Sequence, residues 1–263
     1  MFGINSHRVV KAAAFAAVSV GALASAQAGY TTVKTVANEA SHEQILEHMY
    51  GGNFSKSGVN FSNGTISAKR IDDSIPGPDG ILDATKGQPG DAADQVWKNG
   101  KFVATAEARY AAYTQSFGFL LGETGNTYTN LFNVSGTGFN VTGGTVGEID
   151  LLGETFRWGR DGTNGKHSSL NSDNLDGLDH LATYKIDGLE DGKTTWLLCW
   201  EDLNKRSKDN VHGYKLDSDF NDLVVEVKAT AIPIPAAALP ALGMLAGLGA
   251  IKAARRKRMA NVA

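Results

Sequence analysis

Short runs of β-branched and aromatic residues, separated by glycine-containing turn pairs, constrain this chain more than any other feature of its sequence. Asn-Gly, Asp-Gly and Gly-Gly pairs punctuate these runs, as turn residues do between short strands. Glycine supplies 31 of the 263 residues, scattered without a period of three. We therefore predict a mainly β protein, an antiparallel β-sandwich or jelly roll. The predicted strands are Gly64 to Ile71, Tyr128 to Val134, Glu154 to Trp158, Leu181 to Ile186, Thr195 to Trp200 and Leu223 to Val227.

Two segments carry helical signals. Ser41 and Gln44 have the spacing of a capping box, an apolar stripe follows them, and a glycine pair comes next, which predicts one short N-terminal helix. The alanines of residues 102–121 would also suit a helix. We favour strands there, around Tyr110 and around Phe117-Gly118-Phe119.

The first 28 residues have the composition of a secretory signal peptide. Arg8 and Lys11 precede an apolar run from Ala12 to Ala24, and small residues follow at the position where a signal peptidase cuts. The run is too short to cross a hydrocarbon core of roughly 30 Å as a helix, which argues against a retained anchor. We expect signal peptidase to release a mature chain that begins at Gly29.

The other end, residues 232–263, has three successive parts. About twenty mostly apolar residues lie between a proline motif and a basic cluster, and at about 1.5 Å per residue they can just cross a bilayer as a helix. The basic cluster would then stay cytoplasmic. A buried C-terminal helix is the alternative. The proline motif is Ile232-Pro233-Ile234-Pro235-Ala236 and the basic cluster is Arg255-Arg256-Lys257-Arg258.

This tail resembles the sorting tail of PEP-CTERM class surface proteins, in the variant whose motif reads Val-Pro-Leu-Pro-Ala. The match is conservative, although Ile234 replaces the Glu that lies between the prolines of the parent motif. The resemblance implies a Gram-negative host and recognition by an exosortase-type enzyme. It also implies removal of the transmembrane helix and delivery from the inner membrane to the cell surface or extracellular matrix, in a biofilm setting.

The net charge of −3 conceals how charge is distributed. The leader and the tail together carry seven of the 25 Lys and Arg residues and no acidic ones, so residues 29–231 keep 18 basic against 28 acidic residues, about −10. Such a domain repels nucleic acid and anionic lipid and attracts divalent cations. Solubility of an exported protein would explain the same charge without any ligand.

Two acidic segments border the last predicted strands. Glu201 and Asp202 follow the strand that ends at Trp200, and the segment 217–222 precedes the strand that begins at Leu223. If these strands pair, their acidic ends converge. The pattern Glu-Asp-Leu and then Asp-x-Asp-Phe-Asn-Asp-Leu-Val resembles the bacterial secreted domain of unknown function four-one-one-four, most closely over about residues 180–228. That resemblance implies export and a β fold, and no reaction.

The residue types in these segments suit calcium. Asp217, Asp219 and Asn221 alternate as oxygen ligands do in Ca²⁺ loops, and further carboxylates could complete six to eight oxygens. The loop is not an EF-hand. Turn capping without a metal explains the same residues. The candidate ligand set is therefore Glu201, Asp202, Asp217, Asp219, Asn221 and Asp222.

Other polar groups carry weaker signals. We interpret Asp72, Asp73, Asp79 and Asp83 as a solvated acidic loop, with a second cation site as the alternative. Cys199 lies between apolar residues of a predicted strand, which is typical of a small core residue. Phosphate-loop and nucleophile-elbow motifs are absent from the sequence.

These observations predict a non-enzymatic, exported surface or matrix protein, with Ca²⁺ as the candidate cofactor. The alternative is a carbohydrate-binding module on exopolysaccharide, for which the four tryptophans Trp97, Trp158, Trp196 and Trp200 could stack on sugars if they were not core residues. A hydrolase with paired carboxylates such as Glu201 and Asp222 is a third hypothesis. The spacing of these residues in the sequence does not fix their geometry, so we assign no catalytic residue.

Overall fold

The computed structural model describes residues 30–73, 81–84, 93–163, 165–203 and 217–230. Within them lie one α-helix, α1 (His42–Tyr50), and fifteen strands in two sheets. The predicted signal peptide and the sorting tail lie outside the described residues. Among the described residues, no helix combines the length and the apolar character needed to span a membrane.

The first sheet has eight strands, and every neighbouring pair in it is antiparallel. Three strands that are consecutive in sequence form its centre, and a strand from early in the chain lies beside the last of them. In spatial order the strands are β1 (Ser55–Ser57), β2 (Asn60–Ser62), β3 (Ser67–Arg70), β13 (Leu181–Asp187), β14 (Thr194–Trp200), β15 (Leu223–Thr230), β6 (Lys101–Ala108) and β10 (Thr145–Asp150).

The second sheet has seven strands. All its pairs are antiparallel except β4 with β5, and β12 joins it as an extra partner of β11. In spatial order the strands are β4 (Leu82–Asp83), β5 (Trp97–Lys98), β11 (Thr155–Gly162), β7 (Gln115–Leu121), β8 (Tyr128–Thr137) and β9 (Asn140–Gly143), with β12 (Gly165–Ser168) on β11.

The main core lies between the two sheets. Alternate residues of β6 point into it, and Phe102, Ala104 and Ala106 are buried there. Trp97 of the second sheet meets Trp196 of the first with ring centroids 5.2 Å apart. All four tryptophans are fully buried, so none of them offers a stacking face to a sugar. Since two antiparallel sheets share one apolar core, the sandwich prediction is confirmed.

A second apolar cluster covers the other face of the first sheet. The Ser41 and Gln44 side chains make both bonds of the predicted capping box, and α1 buries Ile45 and Leu46. Cys199 lies in the same cluster, buried as predicted. The order of layers is therefore helix, first sheet, second sheet, and the outer face of the second sheet is covered at Leu120 and Arg157 but partly exposed at Ser116 and Asp161.

Most predicted strands are present, with shifted ends. The three strands β13, β14 and β15 begin within one residue of their predicted starts. A strand around Tyr110 is wrong, because β6 ends at Ala108 and Arg109 pairs with Gly138 in an isolated bridge. The ring of Tyr110 instead packs edge-on against Phe139.

Candidate functional site

Pairing of β14 with β15 positions the acidic segments. The two strands are antiparallel, with Trp200 opposite Leu223. The residues that follow β14 therefore lie beside the residues that precede β15. This register is the reason that Glu201 and the segment 217–222 meet at one end of the first sheet, as the sequence suggested.

The backbone before β15 curls instead of extending. Ser218 and Phe220 have φ angles of 63° and 56°, in the left-handed region that non-glycine residues rarely adopt. Phe220 is almost fully buried in the cluster beneath α1, so packing holds its conformation. The left-handed residues alternate with Asp217, Asp219 and Asn221, the predicted oxygen ligands.

Three carboxylates converge at this curl. One oxygen each of Glu201, Asp219 and Asp222 lies within 4.8 Å of the others. Glu201 is fully buried and Asp219 is 2% exposed. Together with Asp217 and Asn221 of the same curl, we refer to them as the acidic cluster.

Burial and mutual repulsion favour the protonated form of these three carboxyl groups. Burial, followed by the charges of Asp222 and Asp217, raises the pKa of Glu201 to about 10. Burial also raises the pKa of Asp219 to about 9 and, together with the neighbouring Asp202 charge, the pKa of Asp222 to about 7. A nearby cation would reverse this effect by favouring the charged form.

Backbone amides already satisfy part of the cluster. The N–H of Leu203 donates to Glu201 Oε1 at 3.0 Å, and the N–H of Ser218 donates to Glu201 Oε2 at 2.9 Å. The N–H of Asp202 donates to Asp222 Oδ2 at 2.6 Å. These bonds fix both carboxylates in position, as the capping interpretation expected.

Three buried side-chain oxygens of the curl are not satisfied by these capping hydrogen bonds. Asp217 Oδ1, Asp219 Oδ2 and Asn221 Oδ1 have no hydrogen-bond partner within the part of the chain that the structure describes. They belong to the three alternating residues predicted as ligands. Buried polar atoms are nearly always hydrogen-bonded, so these three oxygens are available to accept a hydrogen bond or to bind a cation.

Asp202 is engaged elsewhere. Its Oδ2 accepts a hydrogen bond from Gln115 Nε2 at 2.6 Å, and it is not one of the three convergent carboxylates. Arg160 donates to Gln115 Oε1 and to the Asp202 carbonyl, both at 2.8 Å. Asp202 therefore ties the cluster to β7 and β11 of the second sheet.

A buried layer of basic residues, missed at the sequence level, supports this connection. Arg160 donates to His167 Nδ1, so that nitrogen is an acceptor, and burial with the Arg160 charge lowers the pKa of His167. His167 stacks on His180 with ring centroids 3.7 Å apart. Arg160 lies two residues after the core residue Trp158, so both side chains lie on the same face of the strand. This spacing is the one feature of the sequence that could have predicted that Arg160 is buried.

The predicted solvated loop at Asp72 and Asp73 is wrong, because both residues are buried. Arg70 donates to both carboxylate oxygens of Asp73, at 3.1 and 2.9 Å. Asp94 is fully buried nearby, and burial with the charges of Asp73 and Asp179 raises its pKa. Thus the Arg70 guanidinium pairs with Asp73 in this second group, while both carboxylate oxygens of Asp94 have no hydrogen-bond partner among the described residues. Asp79 lies outside the described residues.

A shallow polar depression lies on the second sheet, and its volume is about 310 Å³. Hydroxyl, amide and carboxylate side chains form most of its lining. Gln115 is one of its lining residues, and the buried Gln115 side chain bonds to Asp202, whose N–H in turn bonds to Asp222 of the acidic cluster. The lining residues are Thr114, Gln115, Ser116, Asn133, Asp161, Gly162 and Thr163.

No protein-family model matches this sequence, and neither does any curated protein. Nine chains of solved structures match, and three of them align with about half of this chain. The C-terminal domain of BC2L-C lectin from Burkholderia cenocepacia is 16% identical over 52% of this chain and 90% of its own, with a TM-score of 0.31. Lectin CV2L from Chromobacterium violaceum is 18% identical over 54% and 99%, with a TM-score of 0.34. A high-affinity mannose-binding lectin from Ralstonia solanacearum is 17% identical over 54% and 99%, with a TM-score of 0.31. Similarity this low assigns neither a common fold nor a ligand.

Proposed function

We propose that this chain is a non-enzymatic, exported bacterial surface or matrix protein whose β-sandwich is held together at one end by Ca²⁺. The observation that carries the proposal is the set of three orphan oxygens beside a buried carboxylate triad. Glu201, Asp217, Asp219, Asn221 and Asp222 would supply hard oxygen ligands, which Ca²⁺ prefers in sets of six to eight. The ion would join the end of β14 to the start of β15.

The same geometry speaks against the hydrolase hypothesis. A glycosidase needs two carboxylates that flank a bound substrate. Glu201 has no exposed surface, and backbone amides hold both of its oxygens. A carboxylate fixed in this way supports a binding or structural role.

Calorimetric titration of the purified protein with CaCl₂ tests the cation site. We expect saturable binding of one ion, lost in Asp219→Ala because that variant removes one of the three convergent carboxylates. Asp150→Asn is the matched control, since Asp150 is an exposed carboxylate that pairs with Lys101. Equal Ca²⁺ binding by wild type and Asp219→Ala would overturn the proposed site.

Export and sorting form the other part of the proposal. The leader and the tail described in the sequence imply signal peptidase and an exosortase-type enzyme as processing partners. In a producing bacterium, replacing Pro233 and Pro235 by Ala should leave full-length protein in the inner membrane. Pro240→Ala, in the apolar run after the motif, should be released normally. Normal release of the double variant would contradict exosortase sorting.

Carbohydrate binding is the second candidate function. The shallow depression on the second sheet favours it, because sugars need hydrogen-bond donors and acceptors side by side. Exopolysaccharide is then the partner, in the same biofilm setting. Retardation of the protein in gels that contain polysaccharide tests this function, and normal migration in every gel would reject it.

A further inference from the structure

Three neighbouring strands present a row of polar side chains on the outer face of the second sheet. Asp161 of β11 lies opposite Ser116 of β7, which lies opposite Asn133 of β8. Phe117 follows Ser116 along β7, and Phe132 precedes Asn133 along β8. Both phenylalanines point into the core instead. The row therefore faces solvent, and it forms one side of the depression.

An aromatic ring lies beside this row on a platform of glycines. Gly118 and Gly159 are cross-strand partners, and a Cβ atom on either would come within 3.1 Å of the Tyr128 ring. The ring therefore rests directly on the backbone of both strands. The Tyr128 hydroxyl meets Ser116 Oγ at 3.1 Å, which places the hydroxyl end of the ring next to a residue that lines the depression, while the ring itself lies just outside the lining.

One polar side chain of the depression is held in place, while others have free hydrogen-bonding groups. Gln115 is buried, with its amide oxygen bonded to Arg160 and its amide nitrogen to Asp202. The Asp161 carboxylate has no hydrogen bond or ion pair within the described ranges of the chain. Asn133 Oδ1 accepts from Asn130, so its amide nitrogen is left to donate outward.

This combination has the chemistry of a sugar site. A pyranose ring has one apolar face, which stacks on an aromatic ring, and an edge of hydroxyls, which need donors and acceptors together. The Lys166 ammonium lies 5.2 Å from the Tyr128 ring centroid. A single exposed cation–π contact is weak, so a sugar can displace it.

The charge of the exported domain selects the type of glycan. Residues 29–231 carry about −10, and a half-buried carboxylate, Asp161, lines the depression. Anionic polysaccharide would be repelled. We propose that Tyr128, Ser116, Asn133 and Asp161 form a binding site for neutral hexose units of a polysaccharide. This inference rests on the carbohydrate-binding candidate function.

Affinity electrophoresis of the purified full chain tests the site, with dextran, galactomannan or laminarin as neutral probes and alginate as the anionic probe. We expect retardation by at least one neutral polysaccharide and none by alginate. Tyr128→Ala and Asp161→Ala should each weaken the interaction roughly tenfold. Tyr128→Phe keeps the ring and should retain most binding. Tyr30→Ala removes an exposed tyrosine that lines a different cavity, beside Lys56 and Arg70, and is the matched control.

The outcomes separate this site from the function on which it rests. Retardation of wild type together with loss in the folded Asp161→Ala and Tyr128→Ala variants supports the site. Equal retardation of wild type and both variants overturns the site and leaves carbohydrate binding standing. Unretarded wild type in every gel overturns both, and retardation by alginate alone overturns the neutral class. Asp161 is half-buried, so its variant tests the site even if Tyr128→Ala fails to fold.

Discussion

At the scale of single residues, burial of Glu201, Asp219 and Asp222 beside one another raises the pKa of each carboxyl group. Without a cation they keep protons in the folded state that the unfolded chain releases, because their folded pKa values are about 10, 9 and 7 against roughly 4 in the unfolded chain. Their contribution to stability is fully present below the unfolded pKa of roughly 4 and is lost progressively as the pH rises from there through the folded pKa values. Ca²⁺ needs the ionised forms, so it competes with protons.

The Ca²⁺-induced rise in melting temperature should therefore be larger at pH 9 than at pH 7. Titration of the buried His42 does not contribute to this difference. Its pKa is lowered to about 4, so it is neutral at both pH values. Melting curves with Ca²⁺ and with chelator at each pH measure the difference. A rise that is equal or smaller at pH 9 would contradict proton competition.

Gly118 makes a second prediction at this scale. A Cβ atom there would lie 2.0 Å from the carbonyl oxygen of Thr129, a backbone atom that cannot move aside. Gly118→Ala should lower the free energy of unfolding by about 2–3 kcal/mol, the cost of overpacking. Gly159→Ala, which meets only side-chain atoms at 3.0 Å and beyond, should cost less. Chemical denaturation of both variants checks the order, and the reverse order would contradict the packing described.

At the scale of elements, Arg160 links the second sheet to the acidic cluster on the first. It donates to Gln115 and to the Asp202 carbonyl, and its side chain is fully buried. Arg160→Met would leave these buried acceptors without a donor, so we expect a loss of about 3 kcal/mol in unfolding free energy. We also expect weaker Ca²⁺ binding, because the link to the acidic cluster is lost. Lys193→Met, at an exposed position, should change neither quantity. Unchanged Ca²⁺ affinity in Arg160→Met would show that the cluster does not depend on this link.

Local patterns predicted the elements better than their partners. Turn pairs and β-branched runs placed β13, β14 and β15, and pairing of the last two brought Glu201 to the segment 217–222 as expected. The pairing of β15 with β6 joins residues more than a hundred positions apart. No local pattern specifies such a pair, because it depends on how the two apolar faces fit together.

Buried charge was the hardest feature to predict. Asp72, Asp73 and Asp94 have the composition of a polar loop, yet all three are buried. The Arg70 guanidinium that bonds to Asp73 comes from the neighbouring strand β3. A hydropathy pattern weighs each residue alone, so it misses a carboxylate that is buried together with its counter-charge.

At the scale of the whole molecule, layering separates the two candidate activities. The acidic cluster closes one end of the first sheet, and the proposed sugar site occupies the solvent face of the second. Gln115 contacts both through its bond to Asp202. Gln115 therefore contributes to both sites. Variants such as Asp219→Ala and Asp161→Ala should each remove one site and leave the other intact.

Thermal unfolding of the purified wild-type protein with saturating Ca²⁺ and with chelator tests the central claim most directly. Ligand at a hundred times its dissociation constant adds about 2.7 kcal/mol to the stability, which corresponds to a rise of about 5–10 °C for a domain of this size. We predict that rise in wild type and its loss in Asp219→Ala. Superimposable melting curves of wild type with Ca²⁺ and with chelator would contradict a cation-held sandwich.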